Sequence, residues 1–199
     1  MASKTEIANR ALSKLGQPRV SNIDTTDTKA ARTIRNMWDN VRDSLLQSFP
    51  WNFSVRRAQL AADGSAPAWG WAKQYTLPSD FLSLIEIKNN PRYEVADGFI
   101  MTDEGAPLYI KYVRRVVNTG LYDAMFAEAF AAQLAVEACE EITQSNTKKQ
   151  ILIAERDGII KMAYQNDSIQ NPVAEPLVDE WLTAREASFI DEAIDYNAG

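Results

Sequence analysis

Two carboxylate pairs, two arginine pairs and a lone thiol are the side chains of this 199-residue sequence best placed by type and spacing to do chemistry. The carboxylate pairs ahead of the acidic C-terminal stretch are Glu140-Glu141 and Asp103-Glu104. Two acids can hydrolyse a glycoside when held across a cleft with separated pKa values. Successive helical residues point about 100° apart, however, so Glu140 and Glu141 do not face each other, and solvated surface is the expected role of both pairs. The arginine pairs are Arg56-Arg57 and Arg114-Arg115. A guanidinium fork matches phosphate oxygens. On a strand, neighbours point to opposite faces, so each pair offers one arginine to a given surface. Phosphate contact and intersubunit ion pairing both stand as uses for them. Cys139 is the only cysteine and has no disulfide partner within the chain. Its helical setting, Val136-Glu137-Ala138-Cys139, suits a buried thiol acting as a small apolar group.

Histidine is absent. That removes Ser/His/Asp and Cys/His triads, histidine metal sites and the usual general base near neutral pH. The eight glycines form neither a P-loop nor a dinucleotide fingerprint. No catalytic residue, metal or cofactor is therefore expected. Trp51, Phe53, Trp69, Trp71 and Tyr75 could stack bases. Core or interface packing is the expected use, because no dense basic run interleaves them, and residues 51–117 are expected to form a rigid sheet platform packed by these tryptophans.

The elements that must position these groups follow from periodicity. Ser3-Lys4-Thr5-Glu6 has capping-box spacing, and Ile7, Ala8, Ala11, Leu12 and Leu15 form one helical face, ended by Gly16 and Pro18. A second helix is predicted from Asp27 to Phe49, with Ala30, Ile34, Trp38, Val41, Leu45 and Phe49 apolar and Lys29, Arg32, Arg35 and Arg42 on the polar remainder. Pro50 stops it. Residues 51–117 switch to short alternating runs: Phe53–Arg57, Gln74–Leu77, Leu84–Lys88, Phe99–Met101 after the Asp97-Gly98 turn, and Leu108–Val117. Helix returns over Asp123–Thr143, rich in alanine, and after a short turn over a fourth segment to about Gln165. The predicted fold class is α+β. It comprises a four-helix bundle core from residues 1–50 and 118–165, an inserted small antiparallel β-sheet domain at 51–117, and an extended acidic C-terminal arm at 166–199.

Net charge is −6, which does not suit nucleic-acid binding by the whole molecule. Residues 1–60 carry ten Lys/Arg against five Asp/Glu, and residues 174–199 carry one Arg against seven Asp/Glu. Such a split suits contact between unlike ends, whether between subunits or with a partner, and equally a solvated surface with an acidic tail. Residues 1–15 read as an amphipathic helix and not as a leader, and no run is long and apolar enough for a membrane span. In the arm, Leu177, Val178, Trp181, Leu182, Phe189 and Ile190 are the expected partner-binding anchors.

Three motifs together resemble one family. They are Phe49-Pro50-Trp51-Asn52-Phe53 continuing into Arg56-Arg57-Ala58-Gln59-Leu60; Tyr75-Thr76-Leu77-Pro78-Ser79-Asp80-Phe81-Leu82; and Leu108-Tyr109-Ile110-Lys111-Tyr112-Val113 leading through Gly120-Leu121-Tyr122-Asp123 into the alanine-rich helix. Trp181-Leu182-Thr183-Ala184-Arg185 closes the match, which spans roughly residues 3–185. The chain resembles the tail tubular protein A family of short-tailed phages, the adaptors between portal and tail nozzle. The resemblance implies a homo-oligomeric, dodecameric ring at the head-tail junction of the virion, assembled in the host cytoplasm. Its implied partners are the portal protein above and the tail nozzle protein below, with tail fibre or spike as a further neighbour. DNA would pass through the channel without sequence-specific binding, and no membrane is involved. In such a ring Lys29, Arg32, Arg35, Arg56, Arg57, Arg114 and Arg115 would be intersubunit or channel charges. A tail-associated cell-wall hydrolase using the carboxylate pairs is the rival expectation, and a stand-alone DNA-binding protein using the second helix is a third.

Overall fold

The computed structural model describes residues 2–170. The anchors expected at Leu177, Val178, Trp181, Leu182, Phe189 and Ile190 lie outside the described residues. The chain is a mixed helix-and-sheet protein with four helices and two three-stranded antiparallel sheets.

Helix α1, Lys4–Lys14, begins as its capping box requires. The Ser3 hydroxyl accepts from the Glu6 amide at 3.2 Å, and Glu6 accepts from the Ser3 amide at 2.8 Å. Gly16, at φ +72°, takes the left-handed turn beyond its end. Helix α2, Lys29–Ser48, is capped by Thr28 and buries Ile34, Trp38, Val41 and Leu45 along one stripe. Helix α3, Ala124–Thr143, starts at the Asp123 cap and lies against both α1 and α2. Its small alanines let helices approach on more than one side, and Ala127, Ala129, Ala131, Ala135 and Ala138 are fully buried. Gln144 ends α3 in the left-handed region, at φ 52°. Helix α4, Asn146–Ile169, adds Leu152, Ala163 and Tyr164 to the same apolar cluster.

α4 runs four residues past the predicted end at Gln165, so the expected arm does not begin at residue 166. The physical reason is Asp167. It is 7% exposed, and its carboxylate accepts the Asn52 amide at 3.1 and 3.2 Å while its carbonyl accepts the Asn52 side-chain amide at 2.8 Å. Those bonds tie the last turn to the chain leaving α2, and a polar run that reads as arm stays helical.

The strands are β1 (Val55–Leu60), β2 (Lys73–Thr76), β3 (Phe81–Ile87), β4 (Tyr93–Ala96), β5 (Phe99–Thr102) and β6 (Leu108–Arg114). They form two sheets, ordered β1-β6-β3 and β2-β5-β4, where the sequence pattern predicts one. The difference comes from β4, Tyr93-Glu94-Val95-Ala96, a four-residue strand too short to stand out in the sequence and largely exposed, with Tyr93 and Val95 both at the surface. It pairs with β5 through the Asp97-Gly98 turn, where both residues have positive φ (51° and 80°), the geometry of a two-residue hairpin. The two sheets share a core of Tyr75, Ile87, Ile100, Leu108, Ile110 and Tyr112.

No tryptophan enters that sheet core. Trp51 belongs to the helical cluster, 1% exposed, with its indole N–H donating to the Leu45 carbonyl at 3.0 Å. Its ring meets Phe49 at 5.2 Å, Phe126 at 5.0 Å and Tyr164 at 5.1 Å between centroids. Trp69 is 86% exposed, and Trp71 lies outside on the second sheet, donating to Glu94. Tryptophan density in the sequence therefore does not mark the packing of the sheets.

Candidate functional site

The strongest built surface is one face of the β1-β6-β3 sheet. Strand alternation separates Arg56 from Arg57, as expected on a strand. Arg56 lies opposite Tyr112 and reaches Asp80 at 3.2 Å, where the Tyr112 hydroxyl also donates at 2.9 Å. This arginine is engaged within the chain. Arg57 lies opposite Lys111 and projects from the other face. Together with Gln59, Tyr109, Glu86 and Lys88 it lines a groove of about 480 Å³. A register shift between Leu84 and Glu86 turns Ile85 outward and sets Glu86 across from Lys111. The Lys88 ammonium lies 5.0 Å from the centre of the Tyr109 ring, within cation–π range. Arg57 is visible in the sequence from its own strand, whereas Lys111 on β6 and Lys88 just beyond β3 join it only through the sheet order. The alternation Leu108-Tyr109-Ile110-Lys111-Tyr112 was the signal that could have found Lys111.

The second arginine pair divides in the same way. Arg114 ends β6 opposite Phe81. Arg115 donates to Asp43 at 2.7 Å, and Asp43 also holds Arg42 at 2.7 Å. Arg42 is buried, at 5% exposure, and its second partner is Asp39 at 2.7 Å. The pattern placed Arg42 on a polar surface. The fold instead brings the sheet down on α2 at this point, and two carboxylates make the burial tolerable.

On α2 the basic residues are occupied. Lys29 donates to the Glu141 carbonyl at 2.8 Å, and Arg32 pairs with Asp27 at 2.7 Å. Arg35 donates to the carbonyls of Ile23 and Thr26 at 2.8 and 2.7 Å, closing the loop between α1 and α2. The carboxylate pairs also separate. Glu140 meets Lys149 at 2.9 Å, and Glu141 accepts from the Thr33 hydroxyl at 2.7 Å. Asp103 accepts the Ala72 amide at 2.9 Å, and the Glu104 carbonyl accepts from the Tyr75 hydroxyl at 2.9 Å.

Charge elsewhere serves packing. Lys14 bridges Glu128 and Glu155 at 2.9 and 2.7 Å, joining α1, α3 and α4. Partial burial opposes its charge, but the two carboxylates outweigh it and raise its pKa. Glu128 is shifted below its ordinary value, since Lys14 and Arg10 outweigh the cost of burial. Burial pushes Tyr122 up to about 12, and its hydroxyl donates to the Val116 carbonyl at 2.7 Å. Burial likewise raises Asp167. Cys139 is buried beside the Thr143 hydroxyl at 3.2 Å.

Among the described residues, no group of three or more His, Cys, Asp or Glu could hold a metal ion, and no helix is long and apolar enough to cross a membrane. No protein-family model matches the chain, and neither does any curated protein.

Proposed function

We propose that this chain is a non-enzymatic head-to-tail adaptor of a short-tailed phage, forming a ring, dodecameric by resemblance, between the portal and the tail nozzle around the DNA channel. The observation that carries this reading is the Phe49-Pro50-Trp51-Asn52-Phe53 motif of the family resemblance. Each of its aromatic rings is built into the joint from which the sheets project. Phe49 stacks on Tyr164 at 4.4 Å, Trp51 fills the core, and Phe53 packs edge-on to Phe126 at 4.9 Å. A joint of that kind holds a projecting module at a fixed angle, as a ring subunit needs if neighbours are to meet in register. In this reading the four helices act as a bundle that stacks around the channel axis, and residues beyond α4 form the arm that anchors the assembly through Trp181 and its apolar neighbours. DNA crosses without base-specific contact. The location is the head-tail junction of the virion, reached by assembly in the host cytoplasm.

In vitro complementation tests the reading. Purified full-length protein is added to DNA-filled heads that lack their adaptor, and DNA retention and infectivity are then scored with the remaining tail proteins supplied. Restored retention is the expected result. Heads that leak DNA equally with and without the chain, under conditions where a cognate adaptor rescues, would end the proposal.

A further inference from the structure

Formal charge is partitioned sharply along the chain. Residues 1–173 carry equal numbers of Lys+Arg and Asp+Glu, and the whole −6 resides in residues 174–199. Within that segment Glu175, Asp179 and Glu180 flank Leu177, Val178 and Trp181. A matching surface exists on the sheet. Arg57, Lys88 and Lys111 share one face, and none of the three makes an ion pair with another described residue. Nine of the other seventeen described Lys and Arg residues do so, including Arg10, Lys14, Arg32, Arg42, Arg56 and Arg115.

We propose that the Arg57–Lys88–Lys111 face receives the acidic segment 174–199 of a second copy of this chain. This deepens the assembly reading, since it requires self-association, but it does not require a phage particle. Charge complementarity selects the occupant: three cations and one carboxylate, Glu86, leave the face net positive, opposite a segment that carries all of the molecule's net charge. The mixed character favours a peptide over a nucleic-acid backbone. A phosphate chain would be repelled by Glu86, whereas a peptide offers it a backbone N–H while its own carboxylates meet Arg57 and Lys111. Tyr109, 45% exposed in the middle of the face, gives an aromatic platform for Trp181. Reach is sufficient, because the 29 residues after residue 170 extend up to about 100 Å. The cations of α2 are the poorer target, since Lys29, Arg32 and Arg35 are already spent within the fold.

Zero-length carbodiimide cross-linking on the full chain tests this. Isotopically light and heavy protein are mixed, so that interchain and intrachain links between lysines and carboxylates are distinguished by mass. Interchain links from Lys88 and Lys111 to acids within 175–195 are expected, with a yield that falls as salt rises. In the Arg57→Glu/Lys111→Glu variant the Lys88 link should fall about tenfold or more. Mixing that variant with a Glu175→Lys/Asp179→Lys/Glu180→Lys chain should restore association through links of reversed sense, which also shows that both variants fold. Exclusively intrachain links, no links at this face, or a yield indifferent to salt and to charge reversal would each overturn the proposal. Ring formation on portal is read separately. Interchain links without rings leave this docking intact and sink the adaptor reading, and rings without these links do the reverse.

Discussion

The helical core and the sheet core bury apolar surface in different ways. In the first, four helices contribute, and a run of rings from Phe49 through Trp51, Phe53, Phe126 and Tyr122 to Phe130 and Trp38 packs at centroid distances of 4.7 to 6.5 Å. In the second, six buried residues suffice, and two of them are tyrosines whose hydroxyls reach Asp80 and the Glu104 carbonyl. The helical core therefore supports while the sheets display. Each strand of the β1-β6-β3 sheet turns polar side chains to the opposite face, where Arg57, Lys111 and Glu86 stand in one row. Buried packing and exposed charge fall on different residues, so substitutions should separate them.

The largest effect should come at the joint. Trp51→Ala removes a fully buried ring and its bond to Leu45, and should destabilise the protein by about 3–5 kcal/mol. Denaturant unfolding followed by helical and sheet signals should show both regions shifting together. A shift in one alone would mean that the joint does not couple them. Ile100→Ala, in the sheet core, should cost about 2–4 kcal/mol. Hydrogen exchange should then rise in β2, β5 and β4 while α3 keeps its protection, and equal loosening of α3 would erase the contrast between the cores.

Smaller effects sharpen the boundary between them. Asp43→Ala takes the better-buried partner from Arg42 and leaves Asp39, whose side chain is 78% exposed. The expected loss is about 2 kcal/mol, below that for breaking a fully enclosed pair. Suppression by Arg42→Met in the same chain would identify the stranded charge as the cause. Asp167 tests the end of α4 through pH. Burial raises its folded pKa above the unfolded value, so the folded state holds the proton more tightly. Stability from this group is then greatest at low pH and falls as pH climbs through the window between the unfolded and folded pKa values. Asp167→Asn should remove that slope while keeping an acceptor for the Asn52 amide. The difference between the two proteins should thus close on acidification, and a difference that widens would reverse the assignment. Trp69→Ala, on a ring 86% exposed, should change stability by no more than about 0.5 kcal/mol.

Much of the helical half was legible because local rules and burial agree there. The Ser3 box, the Ile34-Trp38-Val41-Leu45 stripe and the Asp123 start of α3 all follow from spacing alone. The sheet half was legible only as strands. Which strands pair depends on contacts distant in sequence, and β4 is only four residues long and largely exposed, so two sheets were read as one. Trp51 misled for a related reason. Its neighbours in sequence form β1, yet its ring turns back into the helices. At the candidate site Arg57 was visible from its own strand. Lys88 and Lys111 became partners only through the β1-β6-β3 order. The burial of Arg42 was invisible because Arg115, which shares Asp43 with it, lies 73 positions away in sequence.

Single-particle imaging of the full-length chain mixed with isolated portal rings tests the adaptor reading most directly. The account predicts a closed ring of copies coaxial with the portal, an open central channel, and the β1-β6-β3 face of each copy against its neighbour. Portal rings that remain bare at saturating concentrations of the chain, or copies bound singly without closing a ring, would contradict it.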